Sequence, residues 1–537
     1  MSYTFDPAGR QTAISYPTGP GVTFGYDNAN RKTSMVDSTG TSTWTYDNAS
    51  RVTALTTPEG NLTYGYDNDN RRTSLVDGSG TTSYAYDNDA RQTSLTNAFS
   101  ETTSWTFDNA SRPTQQTFAN GAYTAYTYDT RNRPLTLTHY DGLGGTISAE
   151  SYVYDGVGNL SSKTVDGLTT TYGYDNSDQI TSESNTGYSA SYTYDHNGNR
   201  LTKVLGGVTD TYTYDTADKL QSTSSKTYGY DAAGRTTTVT TGAGTTTLSY
   251  DYESRVTSIT LPSSVSDTFT YNGIDTRVGK SDSTGTYSYE RDGVGVTAPV
   301  LNDTAAEYTP GVSESRSGTS AFYHADRLGS TTKISNSSAS VTDTRQFDAF
   351  GMLVSSTGTN PTPFGFVGNE GYQSDPDSGL MLLGHRYCDS STGRFLTRDP
   401  VEDGRNWYDY CDNGPQKYID ANGLQENKRD TGLRPLSDQD IQAELNNLQK
   451  AKLTPEEKAW RQRLQTEQKA RNNRHRRRPD KFQLPVLDPV KVKEGVTTVS
   501  TWVIVGVVLW EIGKWGVAAA TAVPTGGGSL IGAGALP

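Results

Sequence analysis

A tyrosine–aspartate pair that recurs at nearly constant spacing constrains this chain more than any other feature of its sequence. Its aspartates, each preceded by Tyr or Phe, are Asp6, Asp27, Asp47, Asp67, Asp87, Asp108, Asp129, Asp155, Asp175, Asp195, Asp215, Asp231 and Asp251. The spacing is 20 or 21 residues, apart from 26 before Asp155 and 16 before Asp231, and the variant Tyr271-Asn272 ends the series. A fixed period of this length indicates a repeat protein, in which each unit packs against its neighbours.

Each unit has the pattern of a β-hairpin. Tyr64-Gly65-Tyr66 places two rings on one face of a strand, because side chains alternate along a strand with period two. The Asp-Asn pair that follows is typical of a turn. An arginine often lies four residues after the aspartate, at Arg10, Arg31, Arg51, Arg71, Arg91, Arg112, Arg133 and Arg255. One hairpin cannot bury a core alone, so we expect the units to stack into a continuous antiparallel sheet, which predicts an all-β fold.

The composition agrees with exposed β-structure and excludes several other classes of protein. Only 32% of residues are hydrophobic and the mean hydropathy is -0.69, yet aromatic residues reach 10%, with 35 Tyr against 13 Phe. Disordered chains are poor in aromatic residues, so disorder is excluded. Tyrosine supplies buried area while its hydroxyl stays hydrated. A helical bundle, a compact α/β enzyme and a polytopic membrane protein do not fit this composition.

The charge distribution separates the repeats from the end of the chain. The net charge is -13 and the pI is about 5.0, so nucleic acid is not expected as a partner. Residues 425–484 nevertheless carry about +6, by counting Lys and Arg against Asp and Glu. Residues 1–5 lack the basic and apolar regions of a signal peptide, so export would need another route or an upstream segment.

Isolated His and Cys residues are interpreted as packing residues. His324 is expected in the core, and Cys388 and Cys411 are expected as small buried hydrophobic side chains. Two cysteines cannot form a disulfide framework. No cluster of His, Cys and carboxylates has metal-ligand spacing in the sequence, so neither a metal nor another cofactor is expected.

The repeated Tyr-Asp-x-x-x-Arg unit resembles the YD repeats of Rhs proteins, which also occur in the C components of bacterial Tc toxins and in teneurins. The resemblance covers residues 1–424. It implies that the repeats of 1–290 coil into a β-shell and that 291–424 form the Rhs repeat-associated core, which closes the end of the shell. The landmarks of that core are Tyr323-His324-Ala325-Asp326-Arg327, Phe347-Asp348-Ala349-Phe350-Gly351, His385-Arg386-Tyr387-Cys388-Asp389, Gly393-Arg394-Phe395 and Arg398-Asp399-Pro400.

The same resemblance implies one catalytic site. Self-cleaving members carry two Asp-Pro-x-Gly motifs that act as an aspartyl autoprotease and cut just after the second. The corresponding segments here are Asp399-Pro400-Val401-Glu402 and Asp420-Ala421-Asn422-Gly423, so Asp399 and Asp420 are the candidate carboxylate pair. Two close carboxyls do not both ionise readily, so one acts as a base and the other as an acid.

The remaining candidate residues surround that pair. Arg398 is the expected charged neighbour, Asp412 is a further candidate partner, and cleavage is expected between Leu424 and Gln425. Glu402 and Ala421 replace the Gly and Pro of the family motif, which puts the geometry of the two turns in question. The alternative is that both aspartates only cap turns, as Asp often does.

The composition changes after Leu424, which predicts two further segments. Residues 425–484 form a basic segment with capped helix starts at Ser437 and Thr454. Residues 485–537 are apolar and rich in glycine. The stretch 499–523 is long enough to span a bilayer but contains two charges, so a membrane-inserting helix and a buried or shell-held segment both stay open. The small C-terminal tail is thus expected to be mainly helical.

Two functions fit these observations. The first is an Rhs-type shell that encloses or presents its own C-terminal segment as an effector or toxin, with an immunity protein or secretion machinery as further partners. The second is a cell-surface structural protein that contacts carbohydrate or a neighbouring cell and is anchored by a C-terminal membrane helix. Both predict a secreted or cell-surface location, and the only enzymatic activity expected is cleavage of the protein's own chain.

Overall fold

The computed structural model describes residues 1–402, 404–424 and the strand Asn427–Lys428. The described part is almost entirely β-structure with two short 3-10 turns, which confirms the predicted all-β fold. The chain divides into two compact units. The first unit, residues 1–67 and 71–469, contains every strand discussed below; of the second, 68–70 and 470–537, only the turn residues 68–70 are described.

The predictions for the tail fall outside this description. The basic helical segment 425–484, apart from the strand Asn427–Lys428, and the apolar segment 485–537 lie outside the described residues, as does the possible membrane stretch 499–523. Gln425, on the far side of the expected cleavage point, is also outside them. Among the residues that the structure describes, no helix is long and apolar enough to cross a membrane.

The first sheet is an antiparallel meander in which each strand pairs with the next. Its 21 strands are β1 (Ser2–Phe5), β2 (Gln11–Ser15), β3 (Val22–Tyr26), β4 (Lys32–Val36), β5 (Thr41–Tyr46), β6 (Val52–Thr57), β7 (Gly60–Tyr66), β8 (Arg72–Val76), β9 (Thr81–Tyr86), β10 (Gln92–Thr96), β11 (Thr102–Phe107), β12 (Pro113–Thr117), β13 (Tyr123–Tyr128), β14 (Pro134–Tyr140), β15 (Thr146–Tyr154), β16 (Leu160–Val165), β17 (Leu168–Tyr174), β18 (Ile180–Ser184), β19 (Ser189–Tyr194), β20 (Arg200–Leu205) and β21 (Val208–Thr211).

Two further meanders continue the series. The second contains β22 (Thr213–Tyr214), β23 (Leu220–Ser222), β24 (Thr227–Tyr230), β25 (Thr236–Thr241), β26 (Gly244–Tyr250), β27 (Val256–Thr260), β28 (Ser266–Tyr271), β29 (Arg277–Asp282) and β30 (Gly285–Ser288). The third contains β31 (Glu290–Arg291), β32 (Val300–Asn302), β33 (Glu307–Thr309), β34 (Ser313–Arg316), β35 (Thr319–Ala325), β36 (Thr331–Ser335), β37 (Val341–Phe347) and β38 (Leu353–Thr357).

The remaining elements are short. A 3-10 turn at Gly368–Glu370 precedes a small sheet of β39 (Gln373–Ser374), β40 (Met381–Leu383), β41 (Arg386–Asp389) and β42 (Arg394–Phe395). A second 3-10 turn at Cys411–Asn413 precedes β43 (Tyr418–Ile419), which pairs with β44 (Asn427–Lys428).

The Asp27 turn shows why each unit forms a tight hairpin. The Asp27 N–H donates to the Arg31 carbonyl at 3.0 Å, and the Asn30 N–H donates to the Asp27 carbonyl at 3.1 Å. Asn30 is left-handed, with φ 64°, and the strand register shifts between Gly25 and Tyr26. A type I turn followed by a left-handed residue and a bulge is a favoured connection between two antiparallel strands.

In the units that carry the repeat arginine, a clasp of Asp, Arg and the next unit's aromatic ring joins one hairpin to its neighbour. Asp27 Oδ1 accepts the Ala29 and Arg31 N–H groups at 2.9 Å each, and Asp27 Oδ2 accepts Arg31 Nε at 2.6 Å. Arg31 Nη1 donates to the Asp47 carbonyl at 3.0 Å, and its guanidinium lies 4.6 Å from the Tyr46 ring. Tyr46 then donates its hydroxyl back to the preceding unit, at the carbonyl of residue 32. The same Arg-over-Tyr contact occurs at Arg10–Tyr26, Arg51–Tyr66, Arg71–Tyr86, Arg112–Tyr128, Arg235–Tyr250 and Arg255–Tyr271.

The array buries its inward-facing rows against the residues that follow it. One cluster joins Leu55, Leu62 and Leu75 of the repeats to Leu301. A larger one joins Tyr152, Tyr172 and Tyr192 of the repeats to side chains such as Phe350, Leu383, Cys388 and Tyr410. His324, Cys388 and Cys411 are buried, as predicted. Burial lowers the pKa of His324 to about 4 and raises that of the Cys388 thiol.

Four consecutive units lack the clasp arginine and carry Asn159, Gln179, Asn199 or Lys219 in its place. Residues from the later part of the chain contact two of these positions. Lys417 Nζ donates to Asn159 Oδ1 at 3.0 Å, and Arg394 Nη1 donates to Asn199 Oδ1 at 3.1 Å. The Arg394 guanidinium also lies 4.9 Å from the Tyr214 ring, which is the contact that a repeat arginine makes elsewhere.

The clasp predicts different effects for two aspartates of one turn. Asp87 accepts the Asp89 and Arg91 N–H groups at 2.9 and 3.0 Å and binds Arg91 Nε at 2.7 Å, whereas the Asp89 side chain is 71% exposed. We expect Asp87→Ala to lower the urea midpoint of unfolding clearly and Asp89→Ala to leave it nearly unchanged, as followed by circular dichroism. Equal midpoints for the two variants would contradict a structural role for the clasp.

Candidate functional site

Asp399 and Asp420, the two aspartates predicted to form a pair, are brought together by one guanidinium. Asp399 lies in the loop after β42, Asp420 directly follows β43, and both are buried. Arg386, at the start of β41, places Nη2 3.3 Å from Asp399 Oδ2 and 3.3 Å from Asp420 Oδ2. Because both oxygens lie at that distance from one nitrogen, they are no further apart than twice that distance.

Each carboxylate also caps its own turn through its second oxygen. The Val401 N–H donates to Asp399 Oδ1 at 2.8 Å, and the Leu424 N–H donates to Asp420 Oδ1 at 3.1 Å. In both aspartates Oδ1 caps a turn, and Oδ2 faces the shared guanidinium. The turn-cap and carboxylate-pair interpretations of the sequence therefore apply to different oxygens of the same side chains. The Asp420 cap holds the backbone of Leu424, the residue at which cleavage is expected.

Arg386 is fully engaged at the centre of this cluster. Its Nε donates to the Gly423 carbonyl, its Nη1 donates to the Trp407 carbonyl at 3.2 Å, and its guanidinium lies 3.6 Å from the Phe395 ring. The side chain is only 5% exposed. A cation between two carboxylates offsets their mutual repulsion, and burial strengthens this attraction.

The segment that ends at Leu424 is held closely against the chain before Arg386. The His385 N–H donates to the Asn422 carbonyl at 3.0 Å. A Cβ atom at Gly423, where φ is 70°, would collide with the Leu383 carbonyl oxygen, and one at Gly384 would collide with the Asn422 carbonyl oxygen. Glycine at 423 is therefore required both by its left-handed backbone and by the close approach of another segment.

The two departures from the family motif have different structural consequences. Glu402 stands where the motif has glycine and is left-handed, with φ 54°, so the first turn keeps the backbone conformation that glycine adopts readily. Its N–H donates to the Asp399 carbonyl at 3.3 Å. In the second turn the Gly423 N–H donates to the Asp420 carbonyl at 3.2 Å, the same pattern. Both turns thus form without the complete Asp-Pro-x-Gly motif.

The structure places Arg398 partly at the surface and Asp412 in a short turn. Arg398 Nη2 binds Glu402 Oε1 at 2.7 Å, its guanidinium lies 3.9 Å from the Trp407 ring, and its side chain is 42% exposed. Asp412 lies in the 3-10 turn Cys411–Asn413 and points one oxygen toward Gly404. In the sequence, Arg386 stands out only as part of the landmark His385-Arg386-Tyr387-Cys388-Asp389. The feature that could have identified Arg386 as a site residue is its position in a short strand of buried residues, because a buried charge needs a charged partner.

Potential metal ligands do not cluster in the described ranges, 1–402 and 404–424. Within them no group of three or more His, Cys, Asp or Glu side chains is arranged to hold a metal ion. His385, beside Arg386, has its pKa lowered to about 4 by burial and by the positive charges of Arg386 and Arg255, so the imidazole is neutral at pH 7.

Comparison with protein families identifies the repeats. A family described as Teneurin YD-shell matches residues 20–138 and 137–289, which together make up half of the chain. Among curated proteins, the tRNA3(Ser)-specific nuclease WapA of Bacillus spizizenii is 30% identical over 202 residues, 34% of this chain and 9% of WapA. The putative uncharacterized protein YibJ of Escherichia coli is 33% identical over 120 residues, 22% of this chain and 48% of YibJ. The chain thus spans only a part of the relatives that it matches.

Comparison with solved structures supports the same architecture. The crystal structure of TcdB2-TccC3 matches with a TM-score of 0.63 and 16% identity, over 79% of this chain and 28% of that chain. The Photorhabdus luminescens Tc holotoxin pore matches with a TM-score of 0.55 and 16% identity over the same shares. At this level of identity the likeness concerns the fold, which is that of a β-shell.

The two arginines of the site are expected to differ strongly in their effect on stability. Arg386→Ala would leave two buried carboxylates facing each other, so we expect the free energy of unfolding to fall by about 3–5 kcal/mol. Arg398→Ala removes an exposed ion pair and should cost less than about 1 kcal/mol. Urea denaturation of the two variants and the parent protein tests this, and a loss for Arg398→Ala as large as that for Arg386→Ala would contradict it.

Proposed function

This chain belongs to the teneurin YD-shell family, and from that premise we propose that it is a toxin-associated β-shell that encloses or presents its own C-terminal segment, residues 425–537, as an effector. The observation that carries the proposal is the hydrogen-bonded backbone of residues 420–424. These bonds fix the chain up to Leu424, directly before the composition changes. Immunity protein, secretion machinery and a location outside the producing cell belong to the same proposal.

The difference in charge supports separate roles for the two parts. Residues 1–424 hold the acidic excess of the chain, whereas 425–484 carry about +6 and 485–537 are apolar. An acidic shell attracts a basic segment electrostatically. The nuclease activity named for WapA belongs to that protein, and we assign no target to the segment 425–537.

We further propose that Asp399 and Asp420 hydrolyse the Leu424–Gln425 peptide bond. One carboxylate accepts a proton from a water molecule whose oxygen adds to the Leu424 carbonyl carbon. The other, when protonated, donates to the departing Gln425 nitrogen, so the C–N bond breaks and one water is consumed. Arg386 positions both carboxylates, and the Asp420 cap orients the Leu424 backbone.

Cleavage is tested by the intact mass of the purified full chain. We expect two species, residues 1–424 and 425–537, in the parent protein, and a single full-length species in Asp399→Asn and Asp420→Asn. Asp412→Asn is the matched control and should still be cleaved, because the Arg386 guanidinium pairs Asp399 with Asp420. A parent protein that stays full length while its core is folded would refute self-cleavage and leave the shell assignment intact.

The effector role is tested separately by expression in bacteria. Residues 425–537 produced alone should arrest growth, and co-expression of the product of an adjacent small gene should relieve the arrest. If the shell encloses the segment, the parent chain should be tolerated better. Harmless expression of 425–537 together with membrane retention of the full chain would instead favour the surface-anchored binding protein.

A further inference from the structure

A buried phenol from another segment bonds directly to the backbone of Asp420. Tyr372 lies between the 3-10 turn Gly368–Glu370 and β39, and its hydroxyl accepts the Asp420 N–H at 2.7 Å. The side chain is 1% exposed, and 48 residues of sequence separate it from Asp420. The fold therefore anchors one member of the carboxylate pair on a side chain that lies outside the pair.

The other polar groups of Asp420 face the segment that ends at Leu424 and the shared guanidinium. The Asp420 carbonyl accepts the Gly423 N–H at 3.2 Å, and Oδ1 accepts the Leu424 N–H at 3.1 Å. Oδ2 lies 3.3 Å from Arg386 Nη2. The bond from the Asp420 N–H to Tyr372 instead joins this residue to the core, so it bears on where the carboxylate and the turn that it caps are placed.

Packing fixes the position of the Tyr372 hydroxyl. It lies 3.1 Å from the Tyr410 hydroxyl, and the two rings meet edge to face with centroids 6.4 Å apart. Both tyrosines belong to the buried cluster that joins the array to the later strands. Burial first, and then the nearby Cys411 and Asp420, raise the pKa of Tyr372 well above its ordinary value, so the phenol is uncharged at neutral pH.

We propose that Tyr372 is a positioning residue for self-cleavage, which holds Asp420 at the distance from Arg386 and Asp399 at which the two carboxylates act together. The inference rests on the self-cleavage proposed above. Tyr372 acts through the Asp420 backbone and takes no part in proton transfer, because its hydroxyl bonds to the Asp420 nitrogen. One anchoring bond can matter strongly, since a reacting group misplaced by about 1 Å can lose about 100-fold in rate.

Pulse-labelled cell-free synthesis of the full chain measures how fast the fragment 425–537 appears. Tyr372→Phe keeps the ring and removes the hydroxyl, so the core should stay folded. Cleavage should nevertheless slow at least about tenfold. The Asp420 carboxylate then lies further from the guanidinium and holds its proton more tightly, so the acidic limb of the pH–rate profile should move to higher pH. A residue that only stabilises the fold would not move this limb.

Two further tyrosines provide matched variants. Tyr172 belongs to the same buried cluster, and within the described residues its hydroxyl has no hydrogen-bond partner. Tyr172→Phe should therefore cleave with the parental rate and pH profile. Tyr410→Phe keeps the bond between Tyr372 and Asp420 but removes the second contact of that hydroxyl, so its rate should fall by only about threefold.

A double-mutant cycle on stability gives a readout that does not require cleavage. The cycle combines Tyr372→Phe with Asp420→Asn in an Asp399→Asn background, which cannot cleave, and urea denaturation gives the unfolding equilibrium constants. If Tyr372 places the Asp420 carboxylate beside Arg386, the combined change should be at least about fivefold smaller than the product of the two single changes. In the same cycle with Tyr172→Phe, the two changes should simply multiply.

A folded Tyr372→Phe protein that cleaves with the parental rate and pH profile would overturn the proposal. If that variant does not fold, parental cleavage by Tyr410→Phe has the same force. A parent protein that stays full length refutes self-cleavage itself, and the cycle then decides separately about Tyr372. Changes that multiply would refute its role in placing Asp420, whereas coupled changes would support that role.

Discussion

Each hairpin turn that carries the clasp arginine is closed by an aspartate whose two carboxylate oxygens have separate partners. At Asp27 one oxygen accepts backbone N–H groups of its own turn, and the other binds Arg31. Arg31 then reaches the carbonyl of Asp47 and covers the Tyr46 ring in the next unit. Local turn geometry and stacking between units thus depend on the same carboxylate. The period of about twenty residues follows, because every hairpin must return its aspartate to the same edge of the sheet.

The clasp also explains how the residues after the array are joined to it. In two of the four units without the repeat arginine, the side-chain oxygens of Asn159 and Asn199 accept hydrogen bonds from Lys417 and Arg394. A cation from a distant part of the chain thus occupies the place of a repeat residue. These contacts position the chain segments around β41 to β43, on which Arg386, Asp399 and Asp420 are carried. The candidate site is therefore built on the array as well as on its own short strands.

An arginine shared by two carboxylates occurs twice, in two neighbouring clusters. Arg255 is shared by Glu253 and Asp275, and Arg386 is shared by Asp399 and Asp420. His385 lies between the two clusters, 3.7 Å from Asp275 and next to Arg386 in sequence. In each cluster a single buried or part-buried cation holds carboxylates from two segments, so each cluster joins segments as well as placing acid groups together. The cluster around Arg255 in the late turns of the array therefore lies next to the cluster around Arg386 that holds the segment ending at Leu424.

The sequence by itself determined the hairpins, their turns and the all-β fold, because the Asp turn, the left-handed residue and the bulge involve only neighbouring residues. The resemblance to the two Asp-Pro-x-Gly motifs of self-cleaving Rhs proteins led to the prediction that Asp399 and Asp420 form a pair. It did not identify Arg386: proximity in sequence favours Arg398, which instead binds Glu402 at the surface. Asp420 lies 34 residues from Arg386 and 48 residues from Tyr372. Only the tertiary structure decided these partners, because the curvature of the stacked sheet and the packing of the later strands against it determine which distant side chains meet.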